Sequence, residues 1–306
     1  MKEFTFPARN HTNIHCCKWE PEGMPRGVIQ IVHGIAEYAA RYEELAKVFT
    51  DRGFVVVGDD HMGHGQSISE QIPQACFEGG WLAAVSDTYR LLQMTKEDYP
   101  DIPYFIYGHS MGSFMTRTLL YTYPEAGLAG AVISGTGWMP KAVLKSGRAV
   151  CRFEGRRKGM QNTSPMINKL MFGSYNKGYE NPRTPLDWLS RDEKEVDKYI
   201  ADPLCGFDAS IGLAYEMLGG MLMNEDKKNL ARMPKDLPVF FVSGDKDPVG
   251  SNGKGVRQAY EAFKAAGLKD VSIKLYPGGR HEMHNETNRT ELHADVLAFL
   301  ERVLNK

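Results

Sequence analysis

One stretch, Tyr104 to Leu120 (YFIYGHSMGSFMTRTLL), constrains the fold more than any other part of the chain. Its β-forming start, Tyr104 to Tyr107, breaks into Gly108-His109-Ser110-Met111-Gly112 and then into Phe114, Met115, Thr118 and Leu119 at helical spacing. The pattern reads as a strand, a sharp turn and a helix. A serine at the apex of such a turn has strained backbone, and side chains two residues to either side would collide with the flanking strand and helix, hence Gly108 and Gly112. Ser110 is then presented at the top of a sheet. The helix starting there aims free N–H groups and the positive end of its dipole at the same place, which suits a developing oxyanion.

The rest of the chain supplies the sheet that this turn requires. Val28 to Val32 is nearly all β-branched and Phe54 to Val57 is a continuous apolar run, so both read as strands buried on two faces. Further strands are expected at Ala131 to Ser134 and Val239 to Val242, and an alternating one at Val271 to Tyr276. Between them lie helical stripes: Tyr42, Leu45, Ala46 and Phe49; Trp81, Val85, Tyr89 and Leu92 in a helix to about Thr95; Val256, Ala259, Tyr260 and Phe263; Leu292, Val296, Phe299 and Val303. Glu3 to Phe6 and Asn13 to Trp19, parted by Pro7 and a turn at Arg9-Asn10, read as an antiparallel edge. Strand and helix alternate with short links, which predicts an α/β fold with a mostly parallel central sheet flanked by helices and ligands at its carboxyl edge.

One segment breaks the alternation. Residues 137–235 show no strand pattern, and their apolar residues fall at helical spacings: Ile167, Leu170 and Met171; Leu186, Trp188 and Leu189; Ile211, Leu213, Ala214, Met217 and Leu218. They are read as a helical cap inserted after the sixth strand, over a discontinuous core of residues 1–136 and 236–306. The cap holds eight of the fifteen methionines, whose flexible thioethers suit irregular apolar ligands such as acyl chains, or simply fill a small helical core.

Balanced charge, with 37 basic and 38 acidic residues interspersed, gives no basic face for nucleic acid. The N-terminus has no apolar leader region, and nowhere do eighteen apolar residues run together, so a cytoplasmic chain without a transmembrane segment is expected. Cys16, Cys17, Cys76, Cys151 and Cys205 are odd in number and lack C-x-x-C spacing, which argues against disulfides and against a zinc site. No metal and no organic cofactor is expected.

A serine hydroxyl needs a base to take its proton and a third group to orient that base. On a strand–turn–helix scaffold the acid precedes the histidine in the chain. Of nine histidines only His281, His284 and His293 follow the late strands. His293 falls within the last helix, at a surface or boundary position. His281 stands in a Gly-rich loop just past a strand end and is preferred to His284. The acid is sought in Gly244-Asp245-Lys246-Asp247-Pro248, where Pro248 favours Asp247 by holding it extended and Asp245 remains the alternative. Oxyanion donors are expected from the backbone N–H of Met111 and of Ile35, which follows the turn at Gly34. Glu37 and Arg41 read as props for that loop, and His61 and His64 as structural.

Five pieces in order, His33-Gly34-x-x-Glu37 with Arg41-Tyr42, Asp60-His61-x-Gly63-His64-Gly65-x-Ser67, Gly108-His109-Ser110-Met111-Gly112, Gly244-x-x-Asp247 and Arg280-His281-Glu282, resemble the α/β-hydrolase superfamily. Within it they are similar to the serine hydrolases of the monoacylglycerol lipase and bacterial lysophospholipase group. Tyr38-Ala39 replaces the His-Ser often found after the loop glutamate. The resemblance implies a triad of Ser110, Asp247 and His281, oxyanion donors Ile35 and Met111, and a cap bounding an acyl pocket. It further implies hydrolysis of carboxylic esters of monoacyl lipids through an acyl-enzyme. Transient contact of the cap with a membrane surface is a separate expectation. A general carboxylesterase or acyl-thioesterase is the alternative, and a non-catalytic ligand-binding relative a third. Arg148, Arg152, Arg156, Arg157 and Lys158 form a basic cluster that either meets a phosphate or is a solvated helix face.

Overall fold

The runs Val28 to Val32 and Phe54 to Val57 lack polar alternation because both faces of their sheet are covered by helices. A computed structural model describes residues 1–8 and 12–306; the turn expected at Arg9-Asn10 lies outside the described residues. Eight strands form one sheet: β1 (Lys2–Pro7), β2 (Asn13–Trp19), β3 (Gly27–Val32), β4 (Phe54–Asp59), β5 (Tyr104–His109), β6 (Gly130–Ser134), β7 (Val239–Gly244) and β8 (Val271–Tyr276). Their order is β1-β2-β4-β3-β5-β6-β7-β8. β1 and β2 pair antiparallel, β2 joins β4 antiparallel, and every later pairing is parallel.

Because side chains alternate across a strand, each central strand feeds two cores. Val28, Val55, Ile106, Ile133 and Phe241 face helices α2 (Trp81–Asp98), α3 (Met111–Thr122) and α9 (Lys254–Ala265). Ile29, Val56, Tyr107, Val132 and Val242 face α1 (Glu43–Thr50) and α10 (Arg289–Leu304). This is the α/β-hydrolase architecture. β8 differs from the expected alternation: Val271 to Leu275 are all half-buried and only Tyr276 is buried, because an edge strand is covered incompletely on either face.

Between β6 and β7 lie α4 (Lys141–Lys158), α5 (Pro165–Phe172), α6 (Glu193–Ala201), α7 (Ile211–Asn224) and α8 (Lys227–Leu230). α4 packs on α7, and α7 also touches α2 and α3. Two of the three apolar groups seen in this segment fall on helices, α5 and α7. The third, Leu186, Trp188 and Leu189, lies in turns and not in a helix; these residues pack with Tyr199 and Cys205. Among the described residues no helix is long and apolar enough to cross a membrane. All five cysteines are free.

Candidate active site

Ser110 lies between β5 and α3 with φ 52°, a left-handed backbone that a non-glycine residue adopts only under constraint. Its N–H donates to the Ser134 carbonyl of β6 (3.0 Å), and its carbonyl accepts from the Ser113 N–H (2.9 Å). The two glycines explain themselves sterically. A Cβ on Gly112 would stand 2.0 Å from the Val32 carbonyl oxygen, and one on Gly108 would stand 2.2 Å from Thr116 Oγ1. Only glycine lets α3 start this close to β3.

The loop after β3 brings Gly34 and Ile35 beside this turn. A Cβ on Gly34 would be 3.0 Å from that of Ser110. Among the described residues, neither the Ile35 N–H nor the Met111 N–H has an acceptor, and both residues border the cavity at Ser110. The loop is held from below by histidines. His33 donates from Nδ1 to the Gly34 carbonyl (2.7 Å) and accepts at Nε2 from the His61 N–H (2.9 Å). Burial pushes its pKa well below the ordinary value, in keeping with the neutral ring that these two bonds require. His61 stacks on it at 3.8 Å and contacts Asp59 at 2.8 Å, while burial pushes His64 down to about 3.

The loop after β8 carries His281 to the same edge of the sheet. His281 is buried, and its Nδ1 lies 3.0 Å from Asp247 Oδ2. Asp247 is fully buried on the loop after β7, where Oδ1 accepts from the Val249 N–H (2.9 Å) and Oδ2 from Ser243 Oγ (3.1 Å). Asp245, the alternative acid, instead accepts from the Gly278 N–H (2.8 Å) and ties two turns together. Burial opposes an imidazolium at His281, but the Asp247 carboxylate outweighs it and raises the pKa above the usual histidine value. His284, the alternative base, stacks on Tyr42 at 4.6 Å, borders neither cavity at Ser110, and is pushed down to about 3 by burial. His293 is buried, not at the surface, because α10 packs its face against the turn that carries His284.

A serine in a strained turn, two free N–H groups and a buried His–Asp pair at one sheet edge form a recognisable constellation. The model of the Hydrolase_4 family, described as serine aminopeptidase, S33, matches residues 23–288. The chain belongs to that family. Monoacylglycerol lipase from Mycolicibacterium smegmatis is 30% identical over 303 residues, covering 97% of this chain and 96% of the relative. Mouse monoglyceride lipase is 27% identical over 275 residues, covering 89% and 81%. The crystal structure of a thermostable carboxyl esterase from Bacillus coagulans in complex with glycerol superposes with a TM-score of 0.91 at 31% identity, covering 99% of this chain and 98% of that one. The chain is thus an α/β-hydrolase of the serine ester hydrolase class, as its motifs led one to expect.

In this hydrolase a charged bridge joins the two loops that flank Ser110. Glu37 accepts from the Gly34 N–H (2.5 Å), from Tyr42 Oη (2.8 Å) and from Arg41. Arg41 in turn forks onto both oxygens of Glu282 (3.0 and 3.1 Å), the neighbour of His281. Burial works against charge on Glu282, and Arg41 overrides it, holding the carboxyl down to about 2. A second clamp was not legible in the sequence. The His281 N–H donates to the Trp188 carbonyl (3.3 Å), the Glu282 N–H to that of Leu189 (2.7 Å), and the Trp188 ring lies 5.0 Å from the imidazole. Residues 93 positions apart meet here, and no local pattern signals that.

Ser110 sits where two cavities of the hydrolase adjoin. One, of about 340 Å³, is bordered by His281, Glu282, Asn168, Lys169 and Asp208 as well as by apolar side chains. The other, of about 300 Å³, is bordered mainly by apolar side chains, with Met139, Met171, Met217, Met221 and Leu218 among its walls. Ile35, Ser110, Phe172 and Trp188 border both.

Proposed function

We propose that this hydrolase cleaves uncharged monoacyl lipid esters such as monoacylglycerols. Ser110 is the nucleophile, His281 takes its proton through Nε2, and Asp247 holds the imidazole with its proton on Nδ1 and stabilises the charge that forms. The Ile35 and Met111 N–H groups receive the oxyanion of the tetrahedral intermediate. His281 then protonates the leaving alcohol, and a water activated by the same ring releases the fatty acid from Ser110. Segment 137–235 acts as the cap: its methionines wall the chamber in which the acyl chain lies.

The observation that carries this reading is the asymmetry of the two cavities about Ser110, one apolar and methionine-lined, the other with polar groups for an alcohol. None of Arg148, Arg152, Arg156, Arg157 and Lys158 borders either cavity. Arg148 lies over the Tyr215 ring at 4.0 Å, and Arg157 and Lys158 pair with Glu154. The α4 cluster therefore lies away from the site, and Lys169, which borders the polar cavity, does so together with Asp208 and Glu282; this favours an uncharged head over a lysophospholipid. Each methylene buried in the apolar chamber contributes about 0.8 kcal/mol, so kcat/KM on a series of monoacylglycerols should rise about fourfold per added CH2 until the chamber is full. A profile that is flat from the shortest chains would instead mark a general carboxylesterase, the reading favoured by the Bacillus coagulans neighbour.

The cap also has a face suited to a lipid surface. Val143 and Phe153 on α4 and Met166 and Leu170 on α5 are exposed, beside the basic residues of α4. The proposed contact is transient and strengthened by anionic lipid. Cosedimentation should be greater with vesicles containing phosphatidylglycerol than with neutral phosphatidylcholine, and Phe153→Asp should reduce it; equal recovery in all three cases removes the contact. The five free thiols suit a reducing compartment, and the cytoplasm is the proposed location.

A further inference from the structure

The antiparallel ribbon at the far edge of the sheet carries a second group of side chains with ligating chemistry. Its register sets Glu3 of β1 directly opposite Cys17 of β2, and His15 lies two residues before Cys17 on the same face. A carboxylate oxygen of Glu3, a ring nitrogen of His15 and Sγ of Cys17 all lie within 4.8 Å of one another. Glu3 Oε1 stands 3.7 Å from His15 Nε2. That is too long for a hydrogen bond, but close to the separation of about 3.4 Å between two ligands of one tetrahedral ion with ordinary zinc–nitrogen and zinc–oxygen bonds.

The other ring nitrogen is already committed. His15 Nδ1 faces Asp60 Oδ2 at 2.9 Å. Asp60 is itself fixed, accepting from the Ala39 N–H (2.8 Å) and from the Gln66 N–H (2.8 Å). A carboxylate on Nδ1 places the proton there and turns the Nε2 lone pair toward Glu3 and Cys17, the arrangement that orients metal-bound histidines elsewhere.

We infer that the β1–β2 ribbon binds one divalent zinc-type cation through Glu3, His15 and Cys17, with water completing the tetrahedron. A sulfur, nitrogen and oxygen donor set suits zinc and disfavours magnesium and calcium, which take oxygen ligands. Uptake replaces the Cys17 S–H bond by a metal–sulfur bond and releases the thiol proton to solvent. The ion ties β1 to β2 and, through Asp60, to the turn at Ala39 that follows the Gly34-Ile35 loop. Its role is structural, since none of its ligands borders the cavities at Ser110. Spacing along the chain argued against a zinc site because the ligands meet only through strand register.

Dialysed full-length protein titrated with Zn²⁺ in a calorimeter should take up one equivalent, gain thermal stability, and give with Co²⁺ the near-ultraviolet absorption of a thiolate–cobalt bond. Cys17→Ser should abolish that absorption, and Glu3→Gln, an exposed edge position that leaves the fold intact, should weaken Zn²⁺ binding at least tenfold. His281→Ala should retain the full equivalent, which separates this site from any metal bound at the reacting histidine. Absence of uptake by the unaltered chain, uptake unchanged in Glu3→Gln, or uptake lost in His281→Ala would each overturn the assignment.

Discussion

Ser110→Ala is expected to lower kcat on a monoacylglycerol by about a millionfold, with KM changed by no more than about threefold. The large factor follows from what the hydroxyl does: without it no acyl-enzyme forms, and the His281–Asp247 pair has no proton to take. The small one follows from what it does not do. The backbone hydrogen bonds of Ser110, from its N–H to Ser134 and from Ser113 and Phe114 to its carbonyl, do not involve its side chain, so alanine keeps the turn and the walls of both cavities stay in place. Residual hydrolysis about a thousandfold over water should persist, because the variant leaves the proposed oxyanion donors, the Ile35 and Met111 N–H groups, in place. Steady-state kinetics together with intact-mass detection of a fluorophosphonate adduct provide the measurement. A variant that keeps a tenth or more of the original kcat, or still acquires the adduct, would move the nucleophile to another residue.

The sequence made the sheet legible because its signals there are local. Runs such as Val28 to Val32 can be buried only on both faces, and Gly108 and Gly112 mark a place where helix and strand approach too closely for any Cβ. The choice between Asp245 and Asp247 was not settled locally. Two carboxylates two residues apart on one loop look alike in sequence, and what separates them is burial: Asp247 is enclosed beneath His281, whereas Asp245 is half-exposed and bonds a turn. The apolar triplet Leu186, Trp188 and Leu189 misled for the same reason. Its spacing fits a helix, but Trp188 and Leu189 give their carbonyls to the backbone of His281 and Glu282 across the fold, and tertiary bonds override the local preference. His293 shows the reverse case, where a position beside the apolar stripe is drawn inside by a neighbouring turn.

These long-range bonds set the geometry on which turnover depends. The bridge from Glu37 through Arg41 to Glu282 joins the Gly34-Ile35 loop to the loop that carries His281. Glu37 and Glu282 are buried and Arg41 is half-buried between them, which is tolerable because every carboxylate oxygen and the guanidinium fork find partners. Even the Ser110 turn, with its N–H on the Ser134 carbonyl of β6, belongs to this long-range frame.

Asp247→Asn is expected to lower kcat at neutral pH by about ten-thousandfold without unfolding the chain. Ser243 Oγ and the Val249 N–H continue to hold the side chain, so position is conserved while the charge is lost. An amide facing Nδ1 can donate to it, which favours the tautomer with its proton on Nε2, the wrong nitrogen for accepting from Ser110. The pH profile provides an independent reading. His281 acts as a base only when neutral, so kcat/KM falls as pH drops through its pKa, and the Asp247 charge sets that fall above the ordinary histidine value of 6.5. With asparagine in its place the acid limb should move to lower pH, even as the plateau collapses. The same raised pKa means that charged His281 adds stability below the unfolded value, an increment lost as pH rises through the folded one; the variant should lack it. Asp245→Asn is the matched control: its amide oxygen still accepts from the Gly278 N–H, and kcat should stay within about tenfold. If the large loss and the shifted limb followed Asp245 and spared Asp247, the buried carboxylate would be structural and the orienting role would pass to its neighbour two residues earlier.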